Sequence, residues 1–260
     1  MEDIKTVKIT NKENELLKLV LKFRYIKTNQ LQKINKNKYS DTINERITKL
    51  KKQGLINTIK QTTFIEKTEH RIIYLTKAGR AYLRQKGEKN EKALNTAYKG
   101  DTVTKRFINY CSSIVDIYIY FLSILKKNEK LLFYSQNDLS LFDYFPDPLP
   151  AAYISIKTPK ETRRYLLEYY DEFIPAGVLR FRIRKYLSYA DSREWEENTE
   201  EELPSVLFIC STENKKRHIY HYAKDLLNKR MEDNPSIFLS TKFKVLNGGE
   251  NNVNIWNKVE

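Results

Sequence analysis

The sequence has little cysteine, glycine or histidine and no long apolar run. Its two cysteines, Cys111 and Cys210, lie far apart and form no CxxC pair, which argues against a disulfide scaffold and a zinc ribbon. Seven glycines leave no Gly-rich phosphate loop, because the single adjacent pair, Gly248-Gly249, falls in an asparagine-rich stretch. Of the three histidines, His218 and His221 stand three apart, but no third ligand has matching spacing, and Lys215, Lys216 and Arg217 would repel a cation. No metal site is expected. The most apolar stretch, residues 107–125, contains Asn109, Ser112, Ser113 and Asp116, too polar for a comfortable membrane span. The opening MEDIKTVKITNKENE is charged, unlike a secretory leader. The expectation is a cytoplasmic protein with no membrane partner.

What is abundant is positive charge in one place. The 260 residues carry a formal net charge of +14, and 40% of them are hydrophobic, enough for real cores. Residues 1–100 hold 24 of the 47 basic residues and 10 of the 33 acidic ones, which leaves 23 of each beyond. All the excess positive charge therefore sits in the first 100 residues, and a partner attracted by it is polyanionic.

Within that region, residues 28–54 (TNQLQKINKNKYSDTINERITKLKKQG) hold two short helical patterns around a polar bend. Thr28 is expected to cap the first, which carries Leu31 and Ile34. Ser40 opens the second, where Ile43, Ile47 and Leu50 share one face. Thr42, Asn44, Arg46 and Lys49 point elsewhere, and Gly54 ends the element. Upstream, Leu16, Leu17, Val20 and Leu21 mark an earlier helix over 13–24. Downstream, residues 55–62 and 70–76 read as strands of a hairpin. Thr76 then caps a fourth helix with Ala78, Ala81 and Tyr82 inside.

Three helices and a hairpin form a winged helix-turn-helix, here an α+β domain over residues 1–86. Its third helix would enter the major groove of double-stranded DNA. Arg46 is the leading candidate for a base contact, with Asn44 and Thr42 behind it. Lys38, Lys49, Lys51 and Lys52 are candidates for phosphates, Tyr39 for a phosphate or the helix joint, and Lys60, Lys67 and Arg71 for wing contacts. The alternative is a small helical domain that mediates protein contacts.

Residues 87–102 are charged and are expected to be a linker, with a middle that permits helix. Residues 103–260 then read α-β-β-β-α-β-α-β, an α/β domain with a mixed sheet. An apolar helix over 103–125 opens it and offers a dimer surface; strands follow at 130–135, 151–157 and 162–170. Pro146, Pro148 and Pro150 mark 136–150 as loop. Residues 174–190 form a helix, 204–210 a buried strand, 214–230 a helix and 236–242 a last strand. The acidic run DSREWEENTEEEL is expected to be a solvated loop.

The order and spacing of QLQKI, INERITKLKKQGLI, IIYLTKAGRAYL, LPAAYISI, RYLLEYYDE, IRKYLSYA and PSVLFICSTENKKR resemble the replication-relaxation family of plasmids and phages over nearly the full length. The resemblance implies a winged helix followed by a PD-(D/E)xK nuclease-like domain. Enzymes of that fold use an Asp, a second acid and often a Lys, the acids holding Mg²⁺. The family pattern expects Pro-Asp-Ala where this chain has Pro150, Ala151 and Ala152, and Ala151 has no oxygen ligand. Glu168 matches the second acid, Tyr170 replaces its usual acidic companion, and Lys185 matches the Lys. Glu168, Lys185 and Asp147 (of a literal Pro146-Asp147) are thus vestigial candidates in a domain expected to lack catalysis. Glu168 is expected to face solvent or pair with Lys185.

The expected function is sequence-specific binding of double-stranded DNA in replication, transfer or its regulation, with the second domain a scaffold for homodimerisation or for recruiting a replication or conjugation protein. No cofactor is expected. The alternatives are a Mg²⁺-dependent endonuclease or nickase, and a transcriptional regulator with an effector pocket in the second domain.

Overall fold

The computed structural model describes residues 9–35, 40–59, 70–97, 100, 102–230, 235–248 and 254–260. Lys38, Tyr39, Lys60 and Lys67 lie outside them. The chain divides into two compact units, residues 1–119 and 120–260.

The first unit opens with helix α1 (Asn11–Phe23), fixed by a capping box in which the Thr10 hydroxyl accepts from the Glu13 N–H and the Glu13 carboxylate accepts from the Thr10 N–H. Strand β1 (Ile26–Lys27), helix α2 (Thr28–Ile34) and helix α3 (Ser40–Lys52) follow, then strands β2 (Ile56–Thr58) and β3 (Ile72–Leu75). The three strands form an antiparallel sheet of order β1-β3-β2. Thr28 is the first residue of α2 rather than its cap; Lys27 holds the cap position, and its N–H donates to the Gln30 side chain at 3.0 Å. In α3 the expected stripe is the buried one, with Ile43, Ile47 and Leu50 essentially inaccessible. Gly54, at φ +71°, takes the left-handed turn that ends the helix.

Helix α4 (Lys77–Gln85) starts at the expected cap, the Thr76 hydroxyl accepting from the Gly79 N–H. Its inner side is Gly79 and Leu83, not Ala78, which is exposed. A Cβ at position 79 would lie 2.0 Å from the Leu55 carbonyl oxygen, so only glycine allows this approach. The stretch expected as a linker holds a short helix, α5 (Glu91–Thr96), with Ala93 and Leu94 buried and Arg84 paired to Glu91. The boundary between units falls instead inside helix α6 (Lys105–Ser123). The early part of α6 is covered within the first unit. Ile108 and Cys111 join Tyr25 and Tyr74 in one core, and Gln30 donates to Ser112 and to Asp116 at 2.7 Å. The apolar positions expected to form a dimer surface are therefore largely buried within the chain.

The second unit is built on a six-stranded mixed sheet: β4 (Lys130–Ser135), β5 (Ala152–Lys157), β6 (Thr162–Tyr170), β7 (Ser205–Cys210), β8 (Ile237–Thr241) and β9 (Asn257–Lys258), paired in that order. The first three form an antiparallel meander, β6-β7-β8 are parallel, and β9 is antiparallel to β8. Parallel neighbours need crossovers, supplied by helices α8 (Ala176–Ser192) and α10 (Glu213–Leu227). One core joins Leu166, Tyr170, Val206 and Phe208 of the sheet to Leu179, Ile183 and Tyr186 of α8 and Ile219 of α10.

Three short helices complete the unit. Residues 136–150, expected as loop throughout, begin with α7 (Gln136–Leu139). The acidic run is not wholly a loop, because α9 (Glu194–Thr199) places Trp195 in the core with its indole donating to the Glu202 carbonyl. Helix α11 (Lys242–Asn247) follows β8.

Candidate functional site

Two places in the described residues carry the chemistry that the sequence singled out. The first is the outer surface of α3. The buried stripe leaves Glu45, Thr48, Lys49 and Lys52 exposed, with Thr42, Asn44 and Arg46 half-buried at the flanks. Thr48 and Glu45 escape a reading by residue type, but counting around the helix from Ile43 and Ile47 places both opposite the core.

Three α3 side chains have partners inside the unit. Asn44 accepts from the Arg71 guanidinium at 3.2 Å, which ties α3 to the chain entering β3. Lys49, expected to meet a phosphate, forms a 2.8 Å ion pair with Glu13. Burial would raise the Glu13 carboxyl, but the Lys49 ammonium and the Thr10 donors outweigh it and hold it below the ordinary glutamate range. Lys51 donates to the Thr58 hydroxyl. Arg46 forms no ion pair with any described residue.

The second place is Glu168, toward the C-terminal end of β6, a strand that pairs antiparallel with β5 and parallel with β7. A strand covered on both faces is normally apolar throughout, so a buried carboxylate there needs a partner. That partner is Arg182 of α8. Its Nε donates to Glu168 Oε1 at 2.6 Å, its Nη2 approaches the same oxygen to 2.5 Å, and Nη1 donates to the Pro148 carbonyl. The Tyr186 hydroxyl, one turn further along α8, also donates to Oε1 at 2.5 Å. Both charged side chains are more than nine-tenths buried. Burial alone would lower the Arg182 guanidinium, yet the Glu168 charge more than offsets it and holds the arginine above its ordinary value. Burial, and then the Glu168 charge, push the Tyr186 and Tyr170 phenols up.

The surroundings test whether a dication fits here. Extending the β5–β6 register by one step sets Ala151 opposite Glu168, on the same face, and the Ala151 N–H donates to Leu167 at 2.9 Å. The side chain beside the carboxylate thus has no oxygen to offer, and the Ala151 carbonyl already accepts from the Gln136 N–H. Tyr170, two residues along and also on that face, brings a phenol rather than an acid. Asp147 is exposed in the preceding loop. A hard dication needs several oxygen ligands, while this carboxylate already holds a guanidinium. The residues do not fit Mg²⁺.

Lys185 is not the partner of Glu168, because its ammonium lies 5.5 Å from the Phe181 ring. The sequence reading missed Arg182, although a signal was present: it interrupts the stripe of Leu179, Ile183, Tyr186 and Leu187. A charge in an apolar helix face implies a buried counter-charge. His218 and His221 are both exposed on α10, and no group of three metal-ligating side chains occurs among the described residues. Cys111 and Cys210 are buried, and burial pushes both thiols up to about 12.

A different concavity, of about 360 Å³, lies on the opposite face of this sheet between Phe121, Leu207, Phe238 and Trp256. No helix in the described residues is long and apolar enough to cross a membrane.

No protein-family model and no curated protein matches the chain. Among solved structures it is similar to the restriction endonuclease FokI, at 13% identity over 94% of this chain and 45% of that one, with a TM-score of 0.33. FokI bound to DNA gives 12% identity over 92% of this chain and 44% of that one, with a TM-score of 0.31. The chain spans less than half the length of either, and TM-scores this low do not establish a shared fold.

Proposed function

We propose that this protein binds double-stranded DNA through its first unit, a winged helix-turn-helix, and that its second unit is a nuclease-like domain serving as a scaffold rather than a catalyst. The observation that carries the first part is the outward surface of α3, held by a three-helix, three-stranded frame in the order α1-β1-α2-α3-β2-β3. That frame buries the apolar side of α3 and turns Thr42, Asn44, Arg46, Thr48 and Lys52 away from the core. Arg46 can approach a guanine edge with two donors, and Glu45 can accept from cytosine. Arg71, bonded to Asn44, reaches from the wing side.

The second part rests on Arg182. The run α6-β4-β5-β6-α8-β7, with a meander followed by a parallel strand, is the order expected of a PD-(D/E)xK-like core. In this reading the guanidinium takes the place of the metal as the counter-charge to Glu168, and the domain needs no cofactor. The sequence resemblance to the replication-relaxation family supports a role in replication, transfer or their regulation on a plasmid, phage or similar element, with a homodimer or a replication or conjugation protein as partner.

The test is to incubate the full chain with supercoiled and labelled linear DNA, with Mg²⁺ and with EDTA, over a salt series. Intact DNA should be bound with steep salt dependence. Arg46→Ala should weaken binding to the preferred site by about 1–3 kcal/mol. Mg²⁺-dependent nicks that vanish on Glu168→Ala would overturn the scaffold reading. Absence of binding to any duplex, including a genomic pool, would overturn the DNA reading.

A further inference from the structure

The zero net charge of residues 101–260 is a sum of separated patches. Six glutamates fall within residues 194–202. Helices α8 and α10, packed side by side on one face of the sheet, carry eight basic residues against three acidic ones. Of those acids, Asp191 pairs with Arg230 and Glu213 with Lys216 and Lys244, which leaves Asp225.

Three cations of α8 on this surface, Arg180, Arg184 and Lys185, lie against aromatic side chains rather than carboxylates. Arg184 donates to the Tyr222 hydroxyl at 2.6 Å, and the Arg180 guanidinium lies 5.9 Å from the centre of the same ring. Lys185 covers the exposed Phe181. Among the described residues none of these three cations forms an ion pair. Arg180 and Arg184 are one helical turn apart, about 6 Å along the axis. Because Phe181 and Tyr222 already hold cations against them, the surface is suited to anionic oxygens more than to stacked bases.

We infer that the outer surface of α8 and α10 around Arg180, Arg184 and Lys185 is a second contact for the phosphate backbone of duplex DNA, blind to sequence. This rests on the reading of the first unit as a DNA-binding module. The charge supplies attraction without base readout, since guanidinium and ammonium donors match phosphate oxygens. Placed on a separate unit, it adds affinity by linkage where the first unit adds selectivity.

Four full-length proteins test this by fluorescence anisotropy on a labelled duplex of arbitrary sequence, from about 50 to 300 mM salt: wild type, Arg180→Ala/Arg184→Ala/Lys185→Ala, Arg180→Lys/Arg184→Lys, and Arg46→Ala/Arg71→Ala. Matching thermal melts establish that each is folded. The triple alanine variant should flatten the slope of log affinity against log salt by about two to three, one phosphate contact per lost charge. The lysine variant should keep the wild-type slope, because it keeps the charge while losing the geometry at Tyr222.

A triple variant with the wild-type slope, beside an Arg46/Arg71 variant that loses binding, overturns this inference and leaves the first-unit reading standing. The reverse pattern keeps this surface and overturns the reading of the first unit. A wild type that binds no duplex overturns both. A lysine variant that falls with the alanine one overturns the charge account.

Discussion

At the scale of the residue, Glu168 and Arg182 are the pair on which the second unit's chemistry turns. Taking two charges out of water costs several kcal/mol each, and the cluster recovers it through four hydrogen-bonded contacts at one carboxylate and one guanidinium. Removing one partner leaves the other buried and uncompensated. Arg182→Ala should therefore cost about 3–5 kcal/mol and lower the melting temperature by roughly 6–20 °C. Glu168→Leu/Arg182→Met, which removes both charges and keeps volume, should be far milder in the same melt. A single variant no worse than the double would mean the carboxylate is hydrated. Glu168 was legible as an acid within a strand, but it was expected to face solvent or pair with Lys185, and its burial against Arg182 came only with the fold. Arg182 interrupts the apolar stripe of α8 and so calls for a counter-charge, but which one depends on the packing of α8 on β6, since 14 residues separate the pair.

At the scale of the element, α1 and α3 are joined by the ion pair between Glu13 and Lys49, and the same carboxylate closes the α1 capping box. The folded Glu13 carboxyl is held below its ordinary value, so its contribution to stability is fully present above the unfolded value and is lost as pH falls through the folded one. Chemical denaturation from about pH 6 down to about pH 3 should show wild type and Glu13→Gln converging as the acid end is approached. A constant gap across that range would mean Glu13 contributes by packing alone. The helices themselves were legible, since Ile43, Ile47 and Leu50 repeat on one face of α3 and Leu16, Leu17 and Val20 on one face of α1. The ion pair was not, because 36 residues separate its members and no local pattern joins them. β1 escaped for a related reason. Two residues carry no period, and their strand character comes from pairing with Ile72 and Ile73.

At the scale of the whole molecule, the charge is unevenly divided. The first 100 residues carry the whole excess, while the remainder balances through patches of opposite sign. The proposed metal independence has a whole-molecule signature. Anything that binds the folded state selectively raises its melting temperature by mass action. Mg²⁺ at millimolar concentration, or EDTA, should therefore leave the melt of the full chain unchanged at constant ionic strength. A rise with Mg²⁺ that disappears in Glu168→Ala would place a cation at the carboxylate and contradict the role given to Arg182.

Chain order alone carried the longer helices and strands, the one apolar side of α3, the early excess of charge, and the lack of a side-chain ligand at Ala151, while the two-residue β1 and the short helices α5, α7, α9 and α11 were not legible in it. The legible properties depend on spacing within a few residues or on composition, and chain order carries them directly. Only the tertiary structure decided the pairings. It set Arg182 rather than Lys185 against Glu168, Ala151 opposite that carboxylate, Glu13 against Lys49, and Gly79 against the Leu55 carbonyl. It also folded the charged stretch 87–102 partly into a helix and drew Trp195 out of an acidic run into a core. The physical reason is the same in each case. Burial and counter-charge are properties of neighbours in space, and the sheet register and helix packing that create those neighbours join residues with no pattern between them along the chain.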